Sequence, residues 1–424
     1  MRWIRAAGRG LLVAAVVVSG YVAKDASGVG ARDDGRGPMT LATAGDLTDY
    51  LGPLLAGWNR THPDEKVTLV ELPDSADETH AQMVTELRSD RGRFDILNID
   101  VAWTPEFAAA GWISPLDRDR FPLRGFLPPV VGTATYDDKL YAVPYVTNAG
   151  MLFYRKDILD REGEQPPRTW RELERQARTI APKHGLGGYA GQFLPYEGLT
   201  VNAAEAVYSA GGSILGDEGE RVTVDSAAAR DGLGFLARGV RDGWIPREAL
   251  TYKEEESRKA FQNGRLLFLR NWPYAYAGIS GKTSEVAGKF GAVPLPGADG
   301  PGTSVLGGSN LAVNADARHP DSAADLIAYL TSEPVQRKVL TEGAQPPVLA
   351  ALYRDPDLVR EYPYLPALRT SVLAAAPRPK SPRYDQVSLA VQAVAHDAMA
   401  QHQSPAAAVR RLARELAAIA RRQG

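Results

Sequence analysis

Phe94-Asp95-Ile96-Leu97-Asn98-Ile99-Asp100-Val101-Ala102-Trp103 is the stretch whose reading decides the architecture of this chain. Phe94 to Ile99 reads as a buried strand, Asp100 as a turn, and Pro105 to Ala110 as a short helix. Toward the N-terminus, Met39 to Thr43 and Val67 to Leu72 are apolar, strand-like runs. Between them Leu51 to Asn59 reads as a helix. Glu78 to Ser89 carries Met83, Val84 and Leu87 at helical spacing. Strand, helix, strand, helix, strand predicts an α/β fold whose sheet is mostly parallel, with helices on both faces.

Beyond this unit, Leu140 to Pro144 and Gly150 to Tyr154 read as strands that carry the chain into a second lobe. Thr169, with Glu172 three residues on, forms a capping box that opens a helix reaching Ile180. Further helices are expected over Val201 to Ala210, Ala227 to Asp242 and Ser257 to Asn263. Leu266 to Leu269 reads as a short buried strand, and Phe290 to Val293 and Asn310 to Val313 as strands returning to the first lobe. Ser322 to Thr331, Glu333 to Leu340 and Asp385 to Ala400 are helical. Pro405 to Arg422 is amphipathic, with Val409, Leu412, Leu416 and Ile419 on one face. The expected organisation is a leader and linker over 1–37, a first lobe over 38–145 plus 310–370, and a second over 146–309 plus part of 371–424. Several crossings between two lobes make a hinge, and the cleft beside a hinge is the default ligand site.

The N-terminus has the outline of a secretory leader. Arg2, Arg5 and Arg9 precede an apolar run from Leu11 to Val18, and Ser19 and Gly20 close it. The run is shorter than the roughly 20 residues a membrane-spanning helix needs. From Met39 onward about 385 residues remain, enough for two domains with real cores. Lys and Arg total 49 against 51 Asp and Glu, with no basic stripe, which argues against a nucleic-acid partner. Cysteine is absent, which excludes disulfides, thiolate metal sites and Cys nucleophiles. The six histidines, at 62, 80, 184, 319, 396 and 402, lack metal-ligand spacing, so neither metal nor cofactor is expected.

Five segments in order resemble the extracellular solute-binding proteins of ATP-driven sugar importers, the maltose/trehalose-binding group of actinobacterial type. They are the Phe94 to Trp103 stretch, PYVTNAGMLFYRKDIL from Pro144, PRTWREL from Pro167, AFQNGRLLFLRNW from Ala260, and GGSNLAV from Gly307. The resemblance covers nearly the whole mature chain. It implies a two-lobed periplasmic-binding-protein-like fold of class II type, lobes joined by hinge crossings, with no catalytic residues. It also implies a mono- or disaccharide ligand and, as partner, the membrane permease of an ABC importer with its ATPase. Val18-Ser19-Gly20-Tyr21 stands where members of this type carry a lipobox. Tyr21 occupies the place of the acylated cysteine and cannot take a thioether-linked lipid. The expectation is an exported protein at the outer face of the cell membrane, surface-associated or secreted, and not a standard lipoprotein.

A sugar presents hydroxyls in every direction and weakly apolar C–H faces, so its site needs carboxylates, amides and flat aromatic rings. Asp100 and Trp103 follow a strand at its C-terminal end, where open α/β sheets bind ligands. The competing reading has Asp100 capping the next helix and Trp103 in the core. Glu197 lies in the polar-aromatic loop QFLPYEG, and Asp46 in the first loop, Gly45-Asp46-Leu47-Thr48. Trp272 and Tyr274, in the densest aromatic patch, are candidate stacking platforms, and Tyr274 and Tyr276 share one side if that segment is extended. Gly308, paired with Gly307, offers backbone N–H groups to a close ligand, and Asn310 an amide. The resemblance places Asn148 at the cleft. It likewise brings the loop of Arg378, Pro377-Arg378-Pro379-Lys380-Ser381-Pro382-Arg383-Tyr384, to the ligand. The aromatic and charged content points to an α-linked disaccharide such as trehalose or maltose. A secreted carbohydrate-active hydrolase, with Asp100 and Glu197 as its carboxylates, and a non-transporting surface protein are the alternatives.

Overall fold

The computed structural model describes residues 35–89, 94–216, 219 and 221–421, with the side chain of Asp46 outside the description. The leader, including Tyr21, therefore lies outside the described residues. No described helix is long and apolar enough to cross a membrane.

Five strands form the first sheet: β1 (Met39–Ala44), β2 (Val67–Leu72), β3 (Ile96–Asp100), β4 (Ala142–Ala149) and β9 (Leu306–Val313). Their order is β2-β1-β3-β9-β4. β1 is parallel to both β2 and β3, as the alternating pattern implies. β9 runs antiparallel to β3 and β4, so the sheet is mixed, because β9 is the strand by which the chain returns from the other lobe. Leu41, Ala42, Ile96, Leu97 and Ile99 have no solvent exposure. That is the signature of strands covered on both faces, here by α1 (Thr48–Thr61), α2 (Ala76–Leu87), α3 (Thr104–Ala109) and α9 (Pro320–Leu330), on which α10 (Glu333–Thr341) packs.

Four more strands make the second sheet: β5 (Met151–Arg155), β6 (Gly187–Ala190), β7 (Leu266–Asn271) and β8 (Phe290–Pro294), ordered β8-β5-β7-β6. Around it lie α4 (Trp170–Thr179), α5 (Glu197–Ser209), α6 (Ala227–Arg241), α7 (Glu254–Gln262) and α8 (Ala275–Ser280). The capping box of α4 forms as its spacing predicts. Thr169 Oγ1 accepts from the Glu172 N–H at 3.2 Å, and Glu172 Oε2 accepts from the Thr169 N–H at 3.0 Å.

The chain crosses between sheets three times. Ala149-Gly150-Met151 joins β4 to β5, and Leu295 to Val305 joins β8 to β9. The first sheet thus extends past residues 145 and 310 toward the crossings, since Val146 to Ala149 pair with Leu306 to Ser309. The third crossing, Ala375 to Arg383, leads from α11 (Leu365–Ala374) to α12 (Tyr384–Met399). It runs alongside the second: the Ala376 N–H donates to the Ser304 carbonyl at 2.9 Å, and the Leu306 N–H to the Ala376 carbonyl at 2.8 Å. Helix α12 packs on α5 and α6, and the amphipathic C-terminal helix, α13 (Pro405–Arg421), on α12 and α6.

Candidate ligand-binding site

The site is built at the C-terminal edge of the first sheet, where β3 ends on Asp100. The Asp100 carboxylate does two things. Its Oδ1 accepts from the Ala102 N–H at 2.8 Å, holding the turn, and also from Arg378 Nη2. Arg378 comes from the third crossing and is 5% exposed. Its Nη1 donates to Glu197 Oε1 at 2.6 Å. Glu197 is the first residue of α5, so one guanidinium ties the first lobe to the second.

Glu197 is closely held. The Tyr384 hydroxyl donates to Oε1 at 2.5 Å and the Ser388 hydroxyl to Oε2 at 2.5 Å, both from α12. Burial pushes its carboxyl above the usual carboxylate range; Arg378 opposes this, and the Asp100 charge adds to it. Its backbone N–H donates across the cleft to Asp77 Oδ1 of α2 at 3.2 Å. Desolvation pulls the Arg378 guanidinium down, but Asp100, Tyr384 and Glu197 more than offset it, so Arg378 stays charged. Its Nε is buried without a hydrogen-bond partner.

Trp272 follows β7 and is half-buried. The Arg270 guanidinium carbon lies 4.1 Å from the centroid of its ring. Its outer edge approaches Gly307 of β9 so closely that a Cβ there would fall 2.9 Å from ring carbons. Asn148 pairs in register with Gly307, and its side-chain Oδ1 is buried without a partner. Asp100, Glu197 and Arg378 are thus one contact cluster, while Trp272, Gly307 and Asn148 sit together at the crossings.

Other expected contacts are placed elsewhere. Trp103 is 5% exposed and stacks on Phe107 at 6.1 Å, with its ring edge to His80 at 5.1 Å. It fills the space between α2 and α3, because the residue after the Asp100 turn faces the helix it introduces. Asn310 is fully buried, its amide donating to Thr104 Oγ1 and the Thr133 carbonyl, both at 3.2 Å. It falls on the opposite face of β9 from Ser309, which corrects the expectation that it reaches the cleft. Tyr274 does not extend the strand. Residues 275–280 turn into α8, and the Tyr274 hydroxyl donates to Glu255 Oε1 at 3.1 Å. Tyr276 packs instead against Phe290 and Tyr364.

Gly308 has φ of +114°, and a Cβ there would collide with the Val146 carbonyl. Only glycine fits this point, where β9 runs tight against β4 and the Gly308 carbonyl accepts from the Val101 N–H. Asp46 lies in the turn Gly45–Leu47, with its side chain outside the described residues. Tyr384 and Ser388 were missed by sequence reasoning. The signals were the place of Tyr384 at the end of the Arg378 loop and the helical spacing of four that sets Ser388 one turn further on.

Residues 44–337 match the family model described as bacterial extracellular solute-binding protein. The chain is 34% identical over 365 residues to a probable ABC transporter-binding protein of Deinococcus radiodurans, covering 83% of this chain and 86% of that one. Among solved structures, maltose-bound MalE3 of T. maritima superposes with a TM-score of 0.84 at 34% identity, covering 90% of this chain and 99% of its own. The GacH receptor of Streptomyces glaucescens shares the fold, with a TM-score of 0.79 at 23% identity, covering 89% and 97%. The chain belongs to the bacterial extracellular solute-binding proteins, with the two-lobed α/β fold of the MalE type.

Proposed function

We propose that this chain captures an α-linked disaccharide, trehalose or maltose, between its lobes and delivers it to an ABC import permease at the outer face of the cell membrane. The observation that carries the reading is the meeting of Asp100 from one lobe with Glu197 from the other through Arg378 of the third crossing. Two carboxylates and a guanidinium that converge across a cleft suit hydroxyls, which both donate and accept. The unpartnered Arg378 Nε and Asn148 Oδ1 supply a donor and an acceptor still to be filled. Trp272 supplies the flat apolar surface for a ring face. The maltose held by the T. maritima relative supports the choice of sugar.

The void beside Arg378, lined by Val101, Pro105, Thr133 and Leu306, measures about 10 Å³. No sugar ring fits there, so the lobes part to admit the guest and close on it by hinge motion. Binding without reaction follows from a site whose carboxylates belong to two bodies that separate. The test is calorimetry of the full chain against trehalose, maltose, glucose and mannitol, followed by recovery of the sugar. Micromolar binding of a disaccharide recovered unchanged is the expected result. Binding confined to glucose or mannitol overturns the sugar assignment, and turnover overturns the binding role.

A further inference from the structure

We propose that Arg270 is a positioning residue for Trp272, and that it ties the orientation of this ring to the hinge. The inference rests on the reading of Trp272 as the surface that stacks on the guest.

Arg270 is 1% exposed, and its guanidinium is held on every side. Nε donates to Glu205 Oε2 at 2.7 Å, Nη2 to Glu205 Oε1 at 2.6 Å, and Nη1 to Gln192 Oε1 at 2.9 Å. Gln192 is fixed in turn, its Nε2 donating to the Arg270 carbonyl at 3.0 Å. A planar cation clamped in this way has one orientation, and its central carbon lies over the Trp272 ring, 4.1 Å from the centroid. The indole is backed by a rigid plate, and its outer edge meets Gly307 of the other lobe.

The same ion pair reaches two of the three crossings. Glu205 Oε1 accepts from the Ser304 hydroxyl at 3.1 Å and from the Val305 N–H at 3.3 Å, both in the second crossing. Ser304 Oγ accepts from the Gly150 N–H at 2.6 Å, in the first. A Cβ on Gly150 would overlap the Glu205 carboxylate and the Arg270 guanidinium, so the crossing passes the pair with nothing between. Movement of either crossing is transmitted by Glu205 to Arg270, and by Arg270 to the ring. A platform pre-set in this way spares the guest the cost of ordering it.

The first test needs no ligand. The full chain is labelled with 5-fluorotryptophan, and the Trp272 resonance among the seven is assigned with Trp272→Phe. In Arg270→Lys, which keeps the charge beside Glu205 but loses the planar stack, that resonance is expected to shift and broaden while the other six stay in place. An unmoved Trp272 line overturns the proposal. If Arg270→Lys does not fold, Ser304→Ala leaves the ion pair and the Val305 contact intact and cuts the hydroxyl bridge from Glu205 to Gly150 of the first crossing. A smaller shift confined to Trp272 is then expected, and none overturns the coupling to the hinge.

The second test is a double-mutant cycle on maltose affinity. Trp272→Phe and Arg270→Lys are each expected to weaken binding about tenfold, and the double variant by about tenfold in total rather than a hundredfold. A hundredfold loss in the double variant means independent action and overturns the proposal. If Trp272→Phe leaves maltose affinity unchanged while Arg270→Lys still moves the resonance, the platform reading fails and the positioning stands.

Discussion

Helix α5 carries two glutamates, and each neutralises a buried arginine, but the two pairs do opposite work. Glu205 sits two turns into the helix and meets Arg270 beside the crossings. Every guanidinium nitrogen there has a partner, and all partners belong to the second lobe or the crossings. Glu197 opens the helix and meets Arg378 in the cleft, where the arginine's other partner, Asp100, belongs to the opposite lobe and its Nε has none. A saturated buried pair is structure: replacing one partner leaves a charge with nowhere to go. A pair with a borrowed partner and a spare donor is a site, complete only when the lobes meet and a guest adds the missing oxygen.

The largest expected effect comes from breaking the saturated pair. Arg270→Met strands the Glu205 carboxylate and should lower unfolding stability by about 3–5 kcal/mol, read by urea denaturation. A loss below about 1 kcal/mol would remove the distinction between the two pairs. The matching change in the cleft, Arg378→Met, should cost far less stability, because Glu197 already lies above the usual carboxylate range and takes up a proton readily. Its effect falls on binding instead: disaccharide affinity should drop roughly 10- to 100-fold, as for loss of charge-assisted hydrogen bonds worth about 1.5–3 kcal/mol. Equal affinity in calorimetry would show that Arg378 only fastens the lobes.

Each glutamate also accepts from one serine, which gives a finer contrast. Ser304→Ala removes the hydroxyl on Glu205, and Ser388→Ala the one on Glu197. Both should cost about 1 kcal/mol, the first measured in unfolding and the second in sugar binding. The smallest effect is a slope. With its carboxyl raised in the folded protein, Glu197 contributes stability that is fully present below the ordinary value of 4.5 and lost as pH rises through the raised one. Stability measured upward from pH 4.5 should therefore decline less steeply in Glu197→Gln than in the parent chain. Parallel profiles would mean that Glu197 titrates normally.

Much of the fold was legible because burial on both faces leaves unbroken apolar runs. Met39 to Thr43 and Phe94 to Ile99 read as inner strands, the less buried Val67 to Leu72 takes the edge of the sheet, and the Thr169–Glu172 spacing fixed the start of α4. What the sequence hid was set by side-chain direction. Asn310 and Ser309 are neighbours in the chain but face opposite sides of β9, and which of the two sides meets the cleft depends on pairing with β3 and β4 that the sequence does not display. Tyr274 and Tyr276 looked like an extended pair, and tertiary packing of α8 on α7 turned them apart. Within the candidate site, charged residues in loops stood out from the sequence. Tyr384 and Ser388 did not, because a tyrosine and a serine on an apolar helix look like ordinary packing until Glu197 is brought to them.

The three strands of chain that pass between the lobes restrict what the molecule can do. Two bodies on a single thread can swivel, slide and tilt, but when fastened at three places along one edge they are left with little besides a swing, as a door on several pins. The jaws then shut along one arc, with Trp272 at the root against Gly307, and with Arg378, itself on a crossing, joining Asp100 of one jaw to Glu197 of the other. A guest too thick to let Asp100 and Glu197 share that guanidinium is felt as a missing ion pair and not as a clash. Selectivity by thickness would therefore survive changes in the residues that touch the guest, and would yield to a single added carbon at Gly307.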